Sequence, residues 1–235
     1  MHNSGRGAGL IDARRFIQVV DSVGLLAGSK AWSKSDQQAV EDWFRAFVKW
    51  MQTSANGKEE ASARNNHGTW YAAELAAFAL FIGDEALARK TVEAVKARIA
   101  WQIEPDGQQP LELDRIRGMS YSLFNLNAML TVAAIGEKVG VDIWNYQVKN
   151  GQAKDGRSVR KALEFLAPYV FGEKEWPHKQ IIKWSPEEYY ALLRQTAGKF
   201  QDAQFNALLT KVPAVNSSER FVLLHGGGRT AKIET

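Results

Sequence analysis

The sequence contains no cysteine, and that absence excludes several kinds of chemistry at once. Disulfide bonds, thiol nucleophiles and thiolate metal sites are all ruled out for these 235 residues. Only four histidines are present, and His2, His178 and His225 have no ligand spacing, so we expect neither a metal nor a cofactor. No apolar run approaches the ~20 residues that cross a bilayer, and the first residues lack the apolar segment of a signal peptide.

The sequence also lacks a large excess of charge of either sign. The 30 basic and 26 acidic residues are scattered and give a net charge of +4, without the basic stripe that marks a nucleic-acid surface. We therefore expect no nucleic-acid partner and no membrane association. Tryptophan is unusually frequent for its type, with eight copies. Its large ring is used in protein cores and as a platform on which ligands stack.

The hydrophobic periodicity is helical along nearly the whole chain. The helices are joined by short loops, which predicts antiparallel hairpins in one all-α domain over residues 1–225, followed by a flexible tail at 226–235. Residues 220–225 are the only candidate strand. Bundle, solenoid and α/α-toroid architectures all fit this pattern. The predicted helices cover residues 10–28, 33–57, 68–82, 83–103, 114–140, 157–170, 185–200 and 202–212.

Local signals mark the beginnings of several of these helices. Ser33 or Ser35, Asp84 and Ser185 are residue types that cap a helix N-terminus. Glu188, three residues after Ser185, is expected to close a capping box.

Polar residues crowd together at the start of the third predicted helix, in "NNHGTWY". One asparagine, Asn65 or Asn66, suffices to cap a helix. The addition of His67, of Gly68, which permits close backbone approach, and of Trp70 is more than a cap needs. The cluster indicates either an elaborate helix start or the edge of a pocket for a polar ligand.

A second polar group lies on the long helix predicted from about residue 114. Arg117, Tyr121 and Asn125 are spaced at i, i+4 and i+8, which places them along one face. Arg115 falls in the predicted first turn. The stripe is either a partly solvated surface or one wall of a polar groove.

These residue types suit the removal of a proton next to a carboxylate. Such a carbon acid is very weak, because deprotonation adds charge to a group that is already anionic. Amide and guanidinium groups neutralise that carboxylate, and histidine or tyrosine supplies the base and the acid. Glu112 and Asp114 are the alternative, a glycosidase carboxylate pair, although they also suit pairing with Arg115 and Arg117.

Four segments, in order, resemble landmarks of the alginate-lyase-type polysaccharide lyases: "GRGAGLID", "NNHGTWY", "QIEPDGQQPLELDRIRGMSYSLFNL" and "GVDIW". The resemblance covers residues 5–144. It implies an α/α toroid, here an incomplete barrel, and cleavage of an acidic polysaccharide such as alginate or glucuronan by metal-independent β-elimination. It also implies a periplasmic or secreted location.

The resemblance also implies roles for individual residues. Asn66 neutralises the uronate carboxylate together with an arginine, for which Arg115 is the better match. His67 and Tyr121 divide the base and acid duties and are expected to face each other across a cleft. The residues expected to bind substrate are Asn65, Trp70, Arg117 and Asn125.

The sequence departs from that family in two respects. Phe124 stands where the alginate-specific branch has a tyrosine, which favours Tyr121 as the catalytic phenol and a glucuronate-type polymer. The segment beginning at Gly5 normally lies near the middle of the chain, so we expect the N-terminal helices to be missing. A second copy or a partner would then cover the open side. The non-catalytic alternative is a carbohydrate-binding or structural remnant.

Overall fold

The described part of the protein is mostly helical, as predicted. The computed structural model describes residues 5–200 and 202–214, so the predicted strand at 220–225 and tail at 226–235 lie outside it. The elements are a 3₁₀ helix (Gly7–Arg14), α1 (Arg15–Leu25), α2 (Lys34–Thr53), α3 (Ala55–Ser62), α4 (Asn66–Phe81), α5 (Glu85–Gln102), α6 (Pro110–Leu113), α7 (Gly118–Val139), β1 (Lys149–Asn150), β2 (Ala153–Lys154), α8 (Val159–Val170), α9 (Pro186–Gln195) and α10 (Ala203–Thr210).

The predicted caps are largely confirmed. The Ser33 hydroxyl accepts from the Asp36 backbone N–H while the Asp36 carboxylate accepts from the Ser33 backbone, which is a complete capping box. Asp84 accepts from the Leu87 backbone N–H at 3.0 Å. Ser185 caps α9, although its hydroxyl accepts from Glu187 rather than from the predicted Glu188.

The second predicted helix is in fact two helices. It does not run to residue 57, because the extended backbone of Ser54 ends α2 and its hydroxyl caps α3 by accepting from Gly57. Gly57 packs so tightly that a Cβ there would lie 1.9 Å from the Met51 carbonyl oxygen. The chain therefore turns at a close approach of its own backbone, at a point where periodicity predicted that the helix would continue.

The long helix also begins later than predicted. Pro110 starts the short helix α6, and α7 begins only at Gly118, whose N–H donates to the Lys179 carbonyl at 2.9 Å. Arg115 therefore lies in the connection between two helices, not in a first helical turn. Arg117 directly precedes α7, and its carbonyl accepts from the Tyr121 N–H at 2.9 Å.

The chain forms two compact units. The first comprises the chain up to Gln102 together with residues 131–143. At its centre is α4, in which every residue from Asn66 to Ala79 except His67 is buried. Phe44, Met51 and Phe78 contribute to the apolar core around it. Burial of this kind supplies the main driving force for folding.

The second unit comprises residues 103–130 and the described residues from 144 to 214. Tyr189 of α9 is fully buried, and its hydroxyl donates to the Leu163 carbonyl of α8 at 2.8 Å. Phe200 and Phe205 pack edge to face, 4.6 Å between ring centroids. The single-domain boundary at residue 225 stays a prediction.

Candidate active site

The polar cluster at the start of α4 contains one residue that caps the helix and one histidine that is partly exposed to solvent. Asn65, not Asn66, is the N-cap, since its side-chain oxygen accepts from the His67 backbone N–H at 3.2 Å. Asn66 is the first helical residue and is buried. His67 is half-buried in a helix that is otherwise closed to solvent through Ala79. Because the surrounding residues of α4 are buried, the position of the His67 side chain at the protein surface is fixed by the packing of the helix.

The segment that leads into α4 is held in place by two side chains of α5. The Arg98 guanidinium donates to the carbonyls of Ala61 and Ala63, at 2.7 and 2.8 Å. The Gln102 amide donates to the Arg64 and Asn65 carbonyls, at 2.6 and 3.2 Å. Four backbone acceptors that would otherwise need water are satisfied in this way. The segment is therefore a rigid support.

Gly68 is required by this packing. A Cβ at this position would lie 2.1 Å from the Ala63 carbonyl oxygen and 2.4 Å from the Arg98 guanidinium. The glycine that the sequence indicates as a point of close approach thus lets α4 pass its own leader segment and Arg98.

His67 makes its side-chain contact with a residue that the sequence did not suggest. Its Nδ1 lies 2.7 Å from Oε1 of Glu60, and the two side chains are 23% and 3% exposed respectively. Glu60 belongs to α3. Because periodicity ended the preceding helix at residue 57, no sequence signal placed a carboxylate beside the imidazole.

Trp70 is another core residue of α4. Its side chain is buried, at 5% exposure. This burial favours a structural role for Trp70 over the predicted role as a surface on which substrate stacks.

In the second unit, Arg115 covers the ring of Tyr121. The guanidinium carbon lies 3.5 Å from the ring centroid, a cation–π contact. The same guanidinium is 3.4 Å from a carboxylate oxygen of Glu112, which is buried at 1% exposure. Asp114 is exposed. Glu112 is thus occupied by Arg115, and this geometry gives no support to an open carboxylate pair of the glycosidase type.

Tyr121 lines a cleft of about 550 Å³ within the second unit. One side of the cleft is formed by α7 and by the residue that precedes it, and the other side is formed by α9. Its polar lining includes Arg117, whose Nε is buried and has no hydrogen-bond partner among the described residues. The lining residues are Arg117, Ser120, Tyr121, Leu123, Phe124, Asn127, Glu188, Ala191, Leu192 and Gln195. Glu188 and Gln195 come from α9, and the sequence did not indicate either of them as a site residue.

Asn125 does not share that cleft with Arg117 and Tyr121. It is fully buried, and its amide donates to Gln109 at 2.8 Å. A helix advances about 100° per residue, so a position eight residues on is rotated by roughly 80° from the first. That rotation carries Asn125 into the core, where its contact favours a structural role over substrate binding.

Among residues 5–200 and 202–214, no three histidine, aspartate or glutamate side chains converge into a group able to hold a metal ion. His2 and His225 lie outside those ranges. Over the same part of the chain, no helix has the length and apolarity to cross a membrane.

The fold has a close counterpart among solved structures. An alginate lyase from Bacteroides ovatus superposes with a TM-score of 0.86 at 38% sequence identity, covering 94% of this chain. This chain spans 58% of that one. No curated protein matches. All-α architecture and this match define an α/α toroid, the fold class of a group of polysaccharide lyases.

A protein-family model described as alginate lyase matches residues 1–176. The chain belongs to the alginate lyase family. The resemblance carried by "NNHGTWY" and its companion motifs is thereby confirmed. Helix α9, which supplies one side of the Tyr121 cleft, lies beyond the matched residues.

Proposed function

We propose that the protein cleaves a uronic-acid polymer of the alginate or glucuronan type by metal-independent β-elimination. The observation that carries this proposal is the position of Tyr121, a phenol in a cleft wall with one guanidinium over its ring and another beside it. A periplasmic or secreted location is part of the proposal, on family grounds.

The elimination requires two proton transfers and a neutralised carboxylate. A base removes the proton on C5 of the uronate, and the electron pair forms the C4–C5 double bond. The C4–O bond then breaks, and an acid gives a proton to the departing glycosidic oxygen. His67 and Tyr121 divide these two transfers, and Asn66 assists an arginine in stabilising the charge that develops on the carboxylate.

The two arginines differ in how far their guanidinium groups are already engaged. Arg115 is held by Glu112 and stacks on Tyr121, so it is suited to orienting the phenol. Arg117 lines the cleft and its buried Nε lacks a partner, which is costly unless a ligand satisfies it. In this proposal Arg117 therefore receives the carboxylate, although the family resemblance favours Arg115.

The substrate test uses the full chain with glucuronan, poly-mannuronate and poly-guluronate. Ultraviolet absorbance from the unsaturated uronate product should grow on at least one polymer, and a metal chelator should leave the rate unchanged. New reducing ends without that absorbance would indicate hydrolysis instead. Binding without either product would indicate the non-catalytic remnant.

Replacement of Arg117 by glutamine should lower kcat/KM on the preferred polymer by about 10²–10³-fold, since one donor to the developing charge is lost. Initial rates over a range of polymer concentrations measure this. Arg45→Gln is the matched control, because Arg45 forms a surface pair with the exposed Asp42 on α2 and such pairs contribute little. Wild-type kcat/KM in Arg117→Gln would contradict the assignment.

A further inference from the structure

The contact between Glu60 and His67 in the first unit is supported by surrounding hydrogen bonds. Both residues lie at the ends of one short rigid segment, which Arg98 and Gln102 hold through four backbone carbonyls. The Glu60 side chain is 3% exposed, and its Oε1 is 2.7 Å from the imidazole Nδ1. A charge buried to this degree requires a specific partner, so this pair differs from an ordinary surface ion pair.

The Glu60 carboxylate is the acidic group in hydrogen-bond contact with the imidazole. Glu74 of α4 is a second buried acid in this unit, and the charge of Glu60 acts on it. Burial, then Glu60 itself, raises the pKa of Glu74 to about 9, so Glu74 is neutral at pH 7. Arg14 and Asp12 of the 3₁₀ helix also act on Glu74, and Arg98 of α5 lies against Gly68, the residue after His67.

We infer that Glu60 is a positioning residue that fixes His67 in the tautomer with the proton on Nδ1. An ionised carboxylate only accepts hydrogen bonds, so the ring nitrogen that faces it must donate. In a neutral imidazole the other nitrogen, Nε2, then carries the lone pair. Glu60 thereby makes Nε2 the atom of His67 that exchanges a proton with substrate, and its orientation is set by the same contact.

The kinetic consequence of this inference rests on the proposed elimination, whereas the tautomer itself does not. Glutamine at position 60 can turn either its amide oxygen or its NH₂ group toward Nδ1, so it no longer enforces one tautomer. In serine proteases the corresponding carboxylate-to-amide change lowers kcat about 10⁴-fold through the wrong tautomer. We expect a fall in kcat of at least about 10-fold here, with KM little changed because Glu60 is too buried to touch a polymer.

The decisive experiment measures the ¹⁵N chemical shifts of the His67 ring in the full chain while that ring is neutral. The signals of His67 are assigned by their absence from the spectrum of His67→Ala. The wild-type protein should show a protonated Nδ1 and an unprotonated Nε2. Glu60→Gln should show a mixture, and Glu60→Asp should restore part of the wild-type pattern and of kcat. Glu59→Gln is the matched control, since Glu59 is exposed and a glutamine oxygen can still accept from Gly7.

The outcomes separate cleanly. A wild-type ring protonated on Nε2, or an unchanged tautomer and kcat in Glu60→Gln, would overturn the inference. A wild-type protein with the expected tautomer and no lyase activity would uphold the positioning role and reject the proposed function. Should Glu60→Gln not fold, the wild-type tautomer together with Glu60→Asp still decides the question.

Discussion

Replacement of Tyr121 by phenylalanine is expected to lower kcat on a uronate polymer by about 10²–10⁴-fold, the usual loss when a proton-transfer group is removed. The substitution deletes only the hydroxyl group. The remaining ring can keep its cation–π contact with Arg115 and its place in the cleft wall. The folded structure should therefore survive, and the loss can be assigned to chemistry.

The measurement is the initial rate of ultraviolet absorbance growth, with circular dichroism melting as the check on folding. Tyr190→Phe is the matched control in the same unit. The Tyr190 ring stacks on Phe171 at 5.9 Å, and the residue does not line the cleft. An equal loss in both variants would show that the Tyr121 effect is structural, and no loss in Tyr121→Phe would remove the phenol from the mechanism.

Replacement of Glu74 by glutamine is expected to stabilise the protein above neutral pH and to flatten the pH dependence of its stability. Glu74 is fully buried in α4. Burial, and secondarily the charge of Glu60, raises its pKa from 4.5 to about 9. The folded protein therefore keeps a proton on Glu74 at pH values where the unfolded chain has released it.

The sign follows from this difference in bound protons. The contribution of Glu74 to stability is fully present below about pH 4.5 and is lost progressively as the pH rises to about 9. The shift corresponds to an upper bound of about 6 kcal/mol. Glutamine does not titrate, so the variant avoids that loss.

Urea unfolding at pH 5, 7 and 9 measures this effect. Wild-type stability should fall by several kcal/mol between the first and last pH, and the fall should be much smaller in Glu74→Gln. Glu175→Gln, at an exposed position in the second unit, is the control and should follow the wild-type curve. Parallel curves for wild type and Glu74→Gln would contradict the prediction.

Much of the first unit was predictable because its signals are local. The predicted caps at Ser33 and Asp84 depend on hydrogen bonds between residues three positions apart. The cluster around His67 was recognisable for the same reason, since the cap at Asn65 and the presented imidazole lie within one turn. Local hydrogen bonds of this kind act before any tertiary contact exists.

The roles of single polar residues were less predictable. The resemblance favoured Arg115 over Arg117 as the arginine that neutralises the carboxylate, yet Arg115 is engaged by Glu112 and Tyr121, whereas Arg117 lines the cleft. Trp70 and Asn125 were predicted to bind substrate, and both are buried. Burial depends on what packs against each face of a helix, and one sequence does not state it.

By itself, the amino-acid sequence determined the helical class and the family and indicated His67 and Tyr121 as candidate catalytic residues, because periodicity, capping and motif spacing are written within short stretches of chain. Only the tertiary structure decided that Glu60 faces His67 and that α9 completes the cleft wall opposite Tyr121. The reason is physical. The Glu60–His67 contact depends on how α3 packs against the start of α4, and the cleft joins residues of α7 and α9 that are more than 60 positions apart, so both depend on packing that no local pattern encodes.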